Sequence, residues 1–148
     1  MTTFKNPALF IALLVMISCK TTLKHTPLNY PGVQMVTGSG GGMTGQVISY
    51  HLFENGTVFK STGVVEKSYE HLGKISAVAT AQIFANYRTL DMENINFKHP
   101  GNLYYFVERK QGDDSDKIIW GDSDYTVPKN AALFYSVLDH QLTQIKSK

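Results

Sequence analysis

Val47-Ile48-Ser49-Tyr50-His51-Leu52-Phe53-Glu54-Asn55-Gly56-Thr57-Val58-Phe59 is the stretch on which the fold turns. Ile48, Tyr50 and Leu52 alternate with Ser49 and His51, the period of two that marks a strand with one buried face. Asn-Gly between two β-prone runs signals a hairpin, because both residues tolerate the positive φ of a type I′ turn. A two-residue loop at Asn55 and Gly56 sets Phe53 opposite Val58 and Leu52 opposite Phe59. That register predicts Ile48, Tyr50, Leu52 and Phe59 on one face. Ser49, His51, Phe53 and Val58 are the candidates for a binding surface on the opposite face.

Working upstream, residues 38–45 read Gly-Ser-Gly-Gly-Gly-Met-Thr-Gly and formally match GxGxxG at Gly40, Gly42 and Gly45. A dinucleotide fingerprint needs a strand before it and a helix after it, so that the helix N-terminus meets the pyrophosphate. A strand follows here, and no lysine completes a phosphate loop. The run reads as an entry loop or an edge bulge. Gly40, Gly41, Gly42 and Met43 are candidates for a loop whose bare backbone approaches a ligand or partner. Residues 33–37 can add an edge strand.

Downstream, Ser76 is placed to cap a helix to about residue 90, with Ala79, Ile83, Tyr87 and Leu90 as its apolar stripe. Residues 91–101 read as a connection. Residues 103–109 form an aromatic and β-branched strand, 111–115 a polar loop, and 117–120 the returning strand. Pro128 suits the first turn of a closing helix, along which Ala131, Phe134, Leu138, Leu142 and Ile145 recur at three and four. The expected fold is α+β: two ββα units forming a four-stranded, mainly antiparallel sheet with two helices on one face.

The 14 basic and 12 acidic residues leave the chain near neutrality, without the electrostatic footprint that nucleic acid requires. The five histidines show no HExxH spacing and no acidic neighbours at ligand spacing. No GxSxG elbow and no SxxK pair is present. Asp113, Asp114, Asp116, Asp122 and Asp124 crowd two neighbouring loops and are the best calcium candidates, yet they lack the fixed glycine and terminal glutamate of an EF-hand. They read as solvated acidic turns. No cofactor is expected, and the domain reads as non-enzymatic.

Residues 8–17 are an apolar run behind Lys5, closed early by Lys20 and Lys24. The run is shorter than the roughly 20 apolar residues that span a bilayer and has the form of a secretory signal. Met16-Ile17-Ser18-Cys19 resembles the lipobox of bacterial lipoproteins, with Met16 in place of the usual leucine. The resemblance implies cleavage before Cys19, attachment of a diacylglycerol to its thiol, and a domain held at the membrane. Ordinary signal-peptidase cleavage and an uncleaved anchor are the competing readings, and Met16 counts against the first because that cut prefers small flanking residues. Cys19 is the only cysteine, so the domain must be stable without a disulfide.

The expected organisation is a cleaved signal over residues 1–18, a lipid-anchored spacer over 19–32, and one α+β domain over 33–148. The order of elements is similar to small lipoproteins of unknown function in Bacteroidota, loosely over residues 44–146. That likeness implies an envelope location and no activity. Lys20 stands where an aspartate favours inner-membrane retention in enteric lipoproteins, which by analogy implies the outer membrane. The first functional expectation is a binding module for a protein or glycan partner. The alternative is an inhibitor or sensor of a periplasmic enzyme, presenting residues 38–45 or 111–115.

Overall fold

The computed structural model describes residues 24–145, and in it the alternating stretch Val47–Phe53 is one strand of a seven-stranded sheet. The strands are β1 (Val33–Gly41), β2 (Val47–Phe53), β3 (Thr57–Gly63), β4 (Ser68–Lys74), β5 (Lys98–His99), β6 (Leu103–Gln111) and β7 (Asp114–Trp120). Helix α1 (Ala77–Thr89) follows β4, a 3-10 turn covers Met92–Asn94, and α2 (Lys129–Thr143) closes the chain. The spatial order is β4-β3-β2-β1-β6-β7-β5, antiparallel throughout except for the short parallel pairing of β5 with β7.

The α+β class stands, but the expected four-stranded sheet of two ββα units is overturned by these seven strands. The largest difference is β1, which is the centre of the sheet, paired with β2 on one side and β6 on the other. Glycine is depleted in strands because it offers no side chain to pack. In β1 aromatic rings from β6 supply that packing: a Cβ on Gly38 would lie 2.7 Å from Phe106 Cζ, and one on Gly40 would lie 2.7 Å from Tyr104 Oη. β4 reads as polar because it is an edge strand, with Leu72 its one buried residue. β5 is two residues long, too short to leave a periodic signal.

The β2–β3 hairpin is also one residue out of the expected register. Gly56 N–H donates to Phe53 O at 2.8 Å and Gly56 has φ 84°, so the loop is Glu54-Asn55-Gly56, a three-residue turn closed by a left-handed glycine. Asn55 Oδ1 accepts from Thr57 N–H at 3.0 Å, an Asx turn that favours this geometry over a type I′ pair. Leu52 therefore pairs with Val58 and His51 with Phe59. One step of register exchanges the two faces of β3. Val58 joins the helix-side core, while Phe59 moves to the opposite face beside Phe53.

Both helices form where expected. Ser76 Oγ accepts Ala79 N–H at 3.1 Å and caps α1, and Ile83 and Tyr87 of the expected stripe are buried. In α2 the buried residues are Ala131, Phe134, Leu138 and Leu142, with Ile145 packed against the same cluster. Asn130 Nδ2 donates to Leu90 O at 2.8 Å and ties the start of α2 to the end of α1. The helices close over Met35, Leu52, Val58, Val107 and Ile118, one face of the sheet.

Among the described residues no helix lies on the other face. Residues 24–32, read as spacer, lie against it: Tyr30 stacks on Phe53 with centroids 3.9 Å apart, and Gln34 Nε2 donates to Pro27 O at 3.0 Å. The signal, the lipobox, Cys19 and the start of the spacer lie outside the described residues.

Candidate functional site

The helix-free face holds a cavity of about 370 Å³ lined by Ser49, His51, Tyr69, Tyr104, Phe106 and the charged side chains of Lys67, Glu108, Lys110 and Lys117, with Pro27 and Leu28 at its edge. Strand alternation places these groups together. Ser49 and His51 are two apart on β2, Ser61 is the cross-strand partner of Ser49, and Glu108 and Lys110 are two apart on β6.

Ser49 and Ser61 are buried and their hydroxyls lie 2.7 Å apart. His51 Nε2 stands 3.2 Å from Ser49 Oγ and 3.4 Å from Ser61 Oγ. His51 Nδ1 is buried without a partner. Either tautomer leaves that atom unfilled: a proton to donate if Nε2 accepts from a serine, a lone pair if Nε2 donates. Burial, then the positive charges of Lys67 and Lys110, push the His51 pKa down to about 3. The ring is neutral at physiological pH.

A serine beside a histidine invites comparison with a nucleophile and its base. A general base works best with a pKa near the operating pH and an orienting group on its far nitrogen. His51 has a strongly depressed pKa and a bare Nδ1. These properties suit a neutral hydrogen-bonding group better than a proton acceptor.

The lysines give the cavity its electrostatic character. Lys117 Nζ sits 3.9 Å from the centroid of Phe106 and 3.9 Å from Glu108 Oε2. Burial pushes the Lys117 pKa down, Glu108 opposes this, and Lys67, Lys110 and Lys98 add to the lowering. Glu108 also accepts from Ser115 Oγ at 2.6 Å. Three lysines thus face one carboxylate.

A second concavity of about 430 Å³ lies on the helix side, between α1 and the start of β1. Glu54 and Glu93 there balance Arg88 and Arg109, so its lining selects no ligand charge. Arg109 is further held by Gln111 Oε1 at 3.0 Å and Asp116 at 3.9 Å.

Of the residues singled out in the sequence, Ser49 and His51 meet in the cavity. Phe53 is covered by Tyr30, and Val58 lies on the opposite face because of the register change. Gly40 and Gly41 belong to β1, whereas Gly42 and Met43 lie in the β1–β2 loop, where Gly42 N–H donates to Asn102 O at 2.8 Å and Met43 is fully exposed. Ser61, Lys67, Lys110 and Lys117 were not anticipated. The correct hairpin register finds Ser61, and β1 at the centre of the sheet brings β6 and β7 beside β2 and β3.

The five aspartates do not gather. Asp113 is in the β6–β7 turn and Asp114 and Asp116 are on β7, while Asp122 and Asp124 follow its far end. Four strand steps, from Asp116 to Trp120, lie between the two groups, a rise of roughly 13 Å. Asp122 Oδ1 accepts Asp124 N–H at 3.0 Å, a local turn contact. Among the described residues no group of three or more His, Cys, Asp or Glu side chains is arranged to hold a metal ion.

Among the described residues no helix is long and apolar enough to cross a membrane. The chain matches no known family model and no curated protein.

Proposed function

We propose that this protein is a bacterial envelope lipoprotein, anchored through Cys19, whose domain is a non-enzymatic binding module working through the cavity of the helix-free face. On the Lys20 analogy its membrane is the outer one. The observation that carries the binding role is the buried Ser49–His51–Ser61 cluster with an unpartnered ring nitrogen, set in a cavity beside three lysines. A buried polar group without a partner costs about 1–3 kcal/mol, and a ligand that supplies the partner recovers it. The cavity favours a small group, such as the end of a glycan or one side chain of a protein partner, over a flat docking surface.

The anchor is supported by the lipobox-like residues Met16-Ile17-Ser18-Cys19. Pro27 and Leu28, near the start of the described residues, line the cavity. Lys24 is five residues from Cys19, a span of at most about 18 Å when extended. A lipid on Cys19 would hold the helix-free face close to the bilayer.

Two experiments bear on this reading. Mass spectrometry of the mature N-terminus should find diacylglycerol on Cys19; an unmodified thiol in the native host removes the anchor. A photocrosslinking residue at Val64, on the cavity rim, should trap a partner in native membranes, while one at Leu133, exposed on α2, should not. Equal yields at both positions end the binding assignment.

Full exposure of Met43 in the β1–β2 loop favours a second reading, in which residues 42–46 enter the active site of a periplasmic enzyme. The other loop expected for this role, residues 111–115, is a two-residue turn between β6 and β7, too short to reach into a cleft. Unchanged activity of cell-wall hydrolases and proteases in the presence of the purified protein would remove the inhibitor reading.

A further inference from the structure

We propose that the occupant of the cavity on the helix-free face is the phosphate headgroup of an anionic phospholipid, with Leu28 and Val64 on the rim entering the boundary of the acyl chains. The assignment rests on the membrane-anchored binding reading above and puts a lipid headgroup, in place of a glycan end or a protein side chain, as the ligand of that same site.

Charge is the first argument. Lys67, Lys110 and Lys117 line the cavity against Glu108 alone, and that carboxylate is shared between Ser115 Oγ and Lys117. Lys117 lies over the ring of Phe106, 3.9 Å from its centroid, rather than in a close ion pair. A phosphate offers several acceptor oxygens, and charge-assisted hydrogen bonds to lysine are among the stronger ones a protein makes.

Hydropathy is the second. Leu28 and Val64 both line the cavity yet are largely exposed, and Val65 beside them is more exposed still, at 91%. Apolar residues beside lysines around one opening form the pattern of a surface that lies at the headgroup boundary, where apolar side chains dip inward and cations stay with phosphates. A soluble anion would use the lysines and leave the rim idle.

Chain geometry is the third. Pro27 and Leu28 line the cavity, and Pro27 is eight residues from Cys19, an extended span of at most about 29 Å, so a lipid on Cys19 would keep this face within that reach of the bilayer. The neutral His51 ring and Ser49 supply hydrogen-bonding capacity on the cavity wall without adding charge.

The test uses the full-length chain from its native host, reconstituted in nanodiscs of phosphatidylcholine alone or with about 30% phosphatidylglycerol, a membrane charge sufficient to attract surface lysines. A brief pulse of acetic anhydride followed by mass spectrometry reads the accessibility of each lysine. Labelling of Lys67, Lys110 and Lys117 should fall roughly threefold or more in the anionic discs, while Lys74 and Lys129, away from the cavity, should change little. Equal labelling in the two discs, or a uniform fall at all five lysines, overturns the proposal. So does equal protection by glycerol 3-phosphate or inorganic phosphate in phosphatidylcholine discs with nothing added by phosphatidylglycerol, which would identify a soluble phosphate ligand instead.

Lys110→Gln combined with Lys117→Gln should abolish the protection of Lys67. If that variant does not fold, Val64→Asp, at the exposed rim, should weaken the protection by repelling the anionic surface; undiminished protection in a folded variant counts against the proposal. The mass of the Cys19 peptide in the same digest separates loss of the anchor from loss of headgroup binding.

Discussion

On one side of the sheet Met35, Leu52, Val58, Val107 and Ile118 lie beneath α1 and α2; on the other, Ser49, His51 and Ser61 are buried with no helix of the described residues above them. The helix side follows the ordinary rule that apolar side chains fill the space between layers. The helix-free side buries hydroxyls and an imidazole under an aromatic cluster, long lysines and the entering chain. An apolar core needs no ligand to explain it. Buried side-chain atoms without a partner occur on both faces, Thr37 Oγ1 on the helix side and Gln34 Oε1 and His51 Nδ1 on the other, but of these three residues His51 alone lines the cavity beside the lysines, which is what favours that face for the proposed binding role.

The sharpest break between the faces should appear on truncation. Leu138→Ala removes a side chain that is fully buried in the helix-side core and should cost about 3–5 kcal/mol, read from denaturant unfolding. A loss below about 1 kcal/mol would mean that the helices are not docked as described.

The next effect belongs to the other face and depends on pH. His51 has a folded pKa of about 3, below its ordinary value of 6.5. Above pH 6.5 both folded and unfolded rings are neutral and full stability is present. As pH falls toward 3, the unfolded chain takes up a proton that the buried ring refuses, so stability drops by up to about 1.4 kcal/mol per pH unit. His51→Gln should flatten this slope. An unchanged slope would show that the ring is not buried and neutral.

Tyr30→Ala removes the ring stacked on Phe53 and should cost about 2 kcal/mol, with faster amide exchange in β1 near Gln34 and little change in α2. Ser49→Ala should cost about 1–2 kcal/mol by leaving Ser61 and His51 short of a partner, and the further change Ser61→Ala should add less than its own single effect. Additive losses would mean that the two hydroxyls do not share a hydrogen bond.

Legibility in the sequence divides along the same line. The helices were readable because Ser76 and Pro128 mark their starts and the stripe through Phe134, Leu138 and Leu142 is periodic. The helix-side residues of β2 were readable from alternation. What escaped depends on distant partners. The glycines of β1 are tolerated in a central strand because Phe106 and Tyr104 lie across them, and nothing local announces those rings. Asn55-Gly56 supports two loop lengths, and the Asx contact to Thr57 selects the one that reverses Val58 and Phe59. Ser49 and His51 of the candidate site followed from β2 alone; Ser61 and the lysines needed the register and the strand order.

Nitroxide labels at Val64→Cys and Leu133→Cys compare the two faces most directly, through the accessibility of each label to a water-soluble nickel chelate in reconstituted membranes. The label at Val64 should be shielded from the chelate and reached by oxygen, while the label at Leu133 should stay open to water. Equal aqueous access at both sites, or shielding at Leu133 alone, would contradict a helix-free face turned toward the bilayer.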